Sequence, residues 1–152
     1  MDIRTILADK GHGVETVGPD ASLAEVIKTL VEKKIGSVLV INGDEILGIV
    51  NERSIVKAIC IHGADAVDQA VSEIMDTNLM VCSPNSSIDS VRTHMSKMNM
   101  RHIPVVDNGK LVGMVSIGDV LKYRISELKH GGGSRFQHWF ETDGVRPLRP
   151  DR

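Results

Sequence analysis

The densest chemistry in this chain lies in seven residues, Gly113-Met114-Val115-Ser116-Ile117-Gly118-Asp119. An apolar run, LVGMV (111–115), ends there and a helical pattern begins, so Ser116 and Asp119 straddle a strand-to-helix junction. A Ser followed three residues later by an acid fits an ordinary capping box, which needs no ligand. The same junction also favours an anion, because the first helical N–H groups and the positive end of the helix dipole point outward there. The chain has a second junction of this shape, Gly48-Ile49-Val50-Asn51-Glu52-Arg53-Ser54, in which Asn replaces the hydroxyl residue and Ser replaces the acid. Arg53 and Arg101 could reach an anion, although a lone Arg near a helix or strand end is ordinarily a solvated surface charge. His102 reads equally well as a packed histidine. His12, His62, His94, His130 and His138 show no i, i+4 pairing with an acid or Cys, and Cys60 and Cys82 form no metal or redox spacing, so no metal site is expected. There is no Walker loop and no nucleophile with an evident base, so an enzyme is not expected.

The elements that position these residues are duplicated. Residues 16–57 align over residues 81–122 without a gap, at an offset of 65. Pro19 meets Pro84, Ser22 meets Ser87, Val40 meets Val105, Gly48 meets Gly113 and Lys57 meets Lys122. In copy one a short extended stretch (15–17) precedes Ser22, a helix N-cap, and Leu23, Val26, Ile27, Leu30 and Val31 form one apolar helical stripe. Copy two repeats this with an extended stretch at 79–82, Ser87, and Ile88, Val91, Met95 and Met98. SVLVI (37–41) and HIPVV (102–106) are near-continuous apolar strands. Asn-Gly turns join them to ILGIV (46–50) and LVGMV, which predicts two hairpins. Helices over 52–62 and 117–130 complete two β-α-β-β-α units. Pro104 cannot donate to a sheet ladder, so a free stretch is expected in its strand.

The expected organisation is an N-terminal segment (1–14), a first motif (15–62), a linker with helix around 67–75 (63–78), a second motif (79–130) and a flexible tail (131–152). One unit has too little core to stand alone, so the two should pack as a pseudo-twofold pair with a ligand cleft between them. Hydrophobic residues make up 41% and charged residues 25%, ordinary for a globular protein; with 3% aromatics, the core must be Val, Ile, Leu and Met, the Met residues included. A net charge of −2 gives no basic field, which argues against nucleic-acid binding. No apolar run approaches membrane-spanning length and the N-terminus lacks a signal-peptide core, so a cytoplasmic setting is expected. In the tail, GGGS (131–134) reads as a linker, and Phe136, Trp139 and Phe140 lie at i, i+3, i+4. These suit either a short docked turn or a loose tail.

RHIPVVDNGKLVGMVSIGDVLK (101–122) and KIGSVLVINGDEILGIVNERSIVK (34–57) resemble the cystathionine-beta-synthase (CBS) domain, and the pair resembles a stand-alone Bateman module over roughly residues 2–130. The resemblance implies an α/β fold of tandem CBS motifs that binds adenosine nucleotides (AMP, ATP or NAD) in the cleft as a regulatory sensor, without catalysis. It further implies a likeness to modules that form homodimers and act on a partner protein. By resemblance, Asp119 accepts from the ribose hydroxyls; Ser116, Arg53 and Arg101 reach phosphate; and Cys82, His102, Ile103 and Pro104 line the adenine pocket. A carboxylate suits a vicinal diol because it has two acceptor oxygens. The matching first site, at Thr16, Ile35, Gly36, Ser37, Val38, Asn51 and Ser54, departs from the family pattern and should be weaker or altered. The alternatives are a ligand-independent dimerisation module that docks on an enzyme or transporter and, further off, a nucleotide hydrolase.

Overall fold

The chain folds as two units, Val14–Leu79 and Met1–Gly13 with Met80 onward. The structure is a computed structural model that describes residues 1–129 and 144–148, with backbone alone from 124 to 129. The aromatic residues Phe136, Trp139 and Phe140, the GGGS segment, His130 and His138 lie outside the described residues.

In the unit 14–79, Ser22 caps helix α2 (Leu23–Lys33): its Oγ accepts from Glu25 N–H at 3.2 Å, and the Glu25 carboxylate accepts from Ser22 N–H at 3.4 Å. Leu23, Val26 and Leu30 are buried, but Val31, which its spacing places on the same stripe, is 72% exposed. The helix stops at Lys34, whose φ of 54° is left-handed and turns its N–H back to the Leu30 carbonyl. Strand β1 (Thr16–Val17) runs parallel to β2 (Ser37–Asn42), which pairs antiparallel with β3 (Glu45–Asn51). The hairpin turn needs only Gly43 and Asp44 because Gly43 takes a φ of 63°. Helix α3 (Glu52–His62) follows without a break.

The expected linker helix is two pieces, a 3-10 turn (Gly63–Asp68) and a single turn α4 (Val71–Ile74). Between them the chain is drawn extended, because the Gln69 carbonyl accepts from Leu23 N–H at 2.9 Å and Ala70 bridges Ser22. Beyond α4, Asp76 exchanges two backbone bonds with Ile49, at 2.8 and 3.0 Å. The segment 63–78 thus packs within the unit 14–79, whose core holds Leu23, Val26, Val38, Val40, Val50, Ala58, Ala66 and Val71.

The second unit repeats the plan with β4 (Met80–Val81), α5 (Ile88–Met98), β5 (His102–Asp107), β6 (Lys110–Ser116) and α6 (Ile117–Lys129). Ile88, Val91 and Met95 are buried, while Met98, placed on their stripe by spacing, is 49% exposed. Asn99 ends α5 with a φ of 54°, as Lys34 ends α2. Asn108 and Gly109 both have positive φ, which makes a two-residue turn of the type that Asn-Gly favours. Both hairpins carry a register shift at the same repeat position, between Val40 and Ile41 and between Val105 and Val106. In copy one Leu39 N–H donates to the Glu15 carbonyl at 3.1 Å; its counterpart, Pro104, has no N–H, so that bond is missing from copy two. The Pro104 carbonyl still accepts from Cys82 N–H at 3.0 Å, which ties β4 to β5.

Two segments outside the repeat complete this unit. Helix α1 (Ile3–Lys10), capped by Asp2, buries Ile3, Ile6 and Leu7 in a core with Ile88, Val91, Met95, Ile103, Val105, Val115 and Val120. Gly113 permits this, since a Cβ there would lie 2.6 Å from Leu7 Cδ2. Gly48 serves the same purpose beneath Met75 in the other unit, where a Cβ would lie 2.7 Å from Met75 Sδ. The second segment corrects the expectation of a tail flexible over 131–152. Strand β7 (Arg146–Pro147) pairs antiparallel with β4, and Val145 is 1% exposed in the core. β4 has a bare edge on that side, and a short strand with Pro147 covers it while offering little edge of its own.

Candidate functional site

At the start of α6 the side chains of Ser116 and Asp119 hold the junction together. Asp119 N–H donates to Ser116 Oγ at 3.2 Å, and Ser116 N–H donates to Asp119 Oδ2 at 2.9 Å, so the capping box is real. Oδ2 also accepts from Lys10 Nζ at 2.7 Å, and the same ammonium donates to the Met114 carbonyl at 2.9 Å. Both hydrogen bonds of this carboxylate thus fall on one oxygen; among the described residues Oδ1 accepts none. Burial pushes the Asp119 carboxyl up, but the Lys10 ammonium and the Ser116 N–H outweigh it and hold the group below its ordinary value. Asp119 is therefore an ionised acceptor at neutral pH, three-quarters buried, with Oδ2 committed to the fold and Oδ1 without a hydrogen bond among the described residues.

The helix N-terminus is less open than its dipole alone suggests. Ile117 N–H donates to the Arg101 carbonyl at 2.8 Å, and Asp119 N–H is taken by Ser116. Arg101 therefore contributes its main chain to the junction, with its side chain in solvent. His102 lies across the hairpin from Ser116 and is half-buried. Cys82 and Ile103, expected beside a base, are 1% and 0% exposed and packed in the core with Leu7 and Val115. Pro104 is buried as well. Burial pushes the Cys82 thiol up to about 12, so it is inert as a nucleophile. Among the described residues a Cβ on Gly118 would meet only Ser116 Oγ, at 3.6 Å, so none of them requires glycine there.

Reasoning from the sequence missed the contribution of α1. Besides Lys10, its last turn carries Asp9, whose carboxylate accepts from the Tyr123 hydroxyl. That bond, then burial, pushes Tyr123 up to about 12. Just beyond, His12 Nδ1 lies 2.9 Å from the Val112 carbonyl and so must be the protonated nitrogen. Four side-chain contacts fasten this end of α1 around the β6–α6 junction, and none follows a period that a sequence displays.

The first junction is built differently. Ser54 N–H and Ser54 Oγ both donate to Asn51 Oδ1, at 2.9 and 3.1 Å, and Asn51 N–H donates to Ser54 Oγ at 3.2 Å. The pair is neutral, Ser54 is 9% exposed, and its hydroxyl is used as donor and acceptor within the box. Ser37 and Val38 are buried, Ser37 opposite Asn51; Thr16, Ile35 and Gly36 are half-buried, and Arg53 is exposed. Among the described residues no group of three or more His, Cys, Asp or Glu could hold a metal ion, and no helix is long and apolar enough to cross a membrane.

Comparison with known proteins finds the same architecture. Residues 11–61 and 71–126 each match the CBS domain. The CBS-domain-containing protein ATU1752 from Agrobacterium tumefaciens is 42% identical, with a TM-score of 0.79 over 82% of this chain and 99% of that one. The CBS domain pair of protein MJ0100, solved in complex with 5′-methylthioadenosine and S-adenosyl-L-methionine, is 26% identical, with a TM-score of 0.70 over 88% of this chain and 98% of that one. YhcV of Bacillus subtilis, a CBS domain-containing protein, is 29% identical over 118 residues, which is 78% of this chain and 84% of YhcV. The chain spans 36–66% of the length of seven further curated relatives.

Proposed function

The chain belongs to the CBS domain family, and on that premise we propose that it is a non-catalytic regulatory module that takes an adenosine nucleotide (AMP, ATP or NAD) at its second motif. One observation carries the reading: Asp119 is held ionised at a strand-to-helix junction, and among the described residues its Oδ1 accepts no hydrogen bond. The adenosyl ligands of the MJ0100 pair, a relative of the same fold, support the class of ligand. The binding mode differs in detail from a carboxylate that offers both oxygens to the diol. With Oδ2 committed to Ser116 and Lys10, Oδ1 takes one hydroxyl and Ser116 Oγ, which accepts from Asp119 N–H, takes the neighbouring group. The first motif lacks any free carboxylate at the matching place and is the weaker or vacant site.

Regulation follows only if the ligand binds two states of the module unequally. A second copy of the chain is the natural first partner: Val56 and Ile59, three residues apart on α3, are 67% and 46% exposed, an apolar pair that association would cover. That surface also favours the second reading, a module that dimerises and docks on a regulated protein without a ligand. Mass spectrometry of small molecules that co-purify with the protein, followed by thermal-shift titration with AMP, ATP and NAD, separates the two. A bound adenosine compound, or a rise in melting temperature that saturates, supports the sensor. No adenosine compound and no shift at millimolar ligand would leave the docking module.

A further inference from the structure

α1 and α4 begin as counterparts. Arg4 N–H donates to the Pro84 carbonyl at 2.9 Å as Ser72 N–H donates to Pro19 at 3.2 Å, and Ile3 N–H donates to Ser86 at 2.9 Å as Val71 N–H donates to Ala21 at 2.8 Å. Leu7 then seats against Gly113 as Met75 seats against Gly48. Past that point the two part, for α4 has four residues and α1 has eight. After α4 the chain goes extended, and Asp76 satisfies the Ile49 backbone. At the matching position of β6, an offset of 65 from Ile49, the Met114 carbonyl receives the Lys10 ammonium instead. One added helical turn has replaced a backbone bridge with a cation, and it has done so in the unit that has Asp119; the unit with the neutral Asn51–Ser54 box has neither charge.

This pairing has a consequence for the ligand. A lone carboxylate at the ribose position would repel a nucleotide, whose phosphates carry the same sign, whereas neutral adenosine would meet no such charge penalty. An ammonium on that carboxylate removes the penalty. Two of its three N–H groups are engaged, by Asp119 and Met114, and the side chain is 35% exposed, so one donor remains for an anion. We propose that Lys10 is the phosphate-selecting contact of the second motif, which makes this site take phosphorylated adenosine ligands in preference to neutral adenosine or a sulfonium such as S-adenosyl-L-methionine. The inference rests on the adenosine reading above and goes beyond it by naming the residue that selects for the phosphate. A unit charge about 4 Å from a phosphate is worth roughly fivefold in affinity at the dielectric of bulk water and tenfold or more at a partly exposed site.

Calorimetric titration of the wild type, Lys10→Met and Lys10→Arg with AMP and with adenosine tests this. The expected result is a wild type that prefers AMP by about tenfold or more, a Lys10→Met variant in which that ratio falls by at least about tenfold, and a Lys10→Arg variant that keeps most of it. A wild type that binds AMP and adenosine equally overturns the assignment without any variant. So does a Lys10→Met protein that changes both affinities by the same factor, which would make Lys10 a strut for α1; in either case the adenosine site stands. If neither ligand binds the wild type at millimolar concentration, the adenosine reading fails and this inference fails with it.

Discussion

Gly113→Ala adds one methyl where α1 crosses β6, and its cost follows from two distances. The new Cβ would lie 2.6 Å from Leu7 Cδ2 and 3.3 Å from Cδ1, against an ordinary contact of about 3.4 Å or more. Leu7 is 1% exposed and surrounded by core residues, so it has little room to swing; either its rotamer is strained or α1 lifts. Overpacking of this kind costs about 1–3 kcal/mol. Leu7→Ala alone should cost about 2–5 kcal/mol through the cavity it leaves. In the double variant the added methyl occupies space that the leucine has vacated, so the Gly113→Ala penalty should nearly vanish, a coupling of about 1–2 kcal/mol. Urea denaturation followed by far-ultraviolet circular dichroism on the four proteins reads this cycle. A Gly113→Ala penalty of the same size with and without Leu7, or none in the wild-type background, would refute the close approach of α1 as the reason for glycine.

Three further outcomes are expected. Asp119 titrates below its unfolded value, so its stabilising contribution is complete above roughly pH 4–5 and is lost as the pH falls through the folded value; Asp119→Asn should be less stable than wild type at pH 7 and converge with it near pH 2, as denaturation curves across that range will show. Iodoacetamide on the native protein should label Cys60, which is exposed, and spare Cys82, which is buried with its thiol pushed up to about 12; peptide mass mapping that finds Cys82 labelled at a comparable rate would contradict the core placement. Val145→Asp should destabilise by about 2–4 kcal/mol, because it buries a carboxylate where Val145 is 1% exposed; a thermal melt unchanged from wild type would mean that residues 144–148 do not dock.

Much of the fold is legible in the sequence because its signals are local. The offset of 65 aligns both hairpins, both register shifts and both left-handed helix ends, at Lys34 and Asn99, each governed by residues a few positions apart. Ser116 and Asp119 are equally local, three residues apart on one helix start. What the sequence hides is long-range. Lys10 reaches Asp119 across 109 positions and Asp9 reaches Tyr123 across 114, and neither contact leaves a period or motif. The alignment itself conceals them, because it stops short of α1, whose counterpart α4 is one turn shorter. Burial overrides the stripes at their ends: Val31 and Met98 have the right spacing but lie on the last turn of their helices, beyond the core. Composition marks the tail as polar and Pro-rich but cannot show that one apolar residue, Val145, enters a core beside β4.

The central claim, a nucleotide held at the second motif through Asp119, is tested most directly by isothermal titration of AMP into the wild type and Asp119→Ala. The account predicts one dominant site per chain in the wild type. In the variant, affinity should fall by roughly ten- to a hundredfold, the value of a charged hydrogen-bond partner. Equal affinities for the two proteins, or two equivalent tight sites per chain, would contradict it.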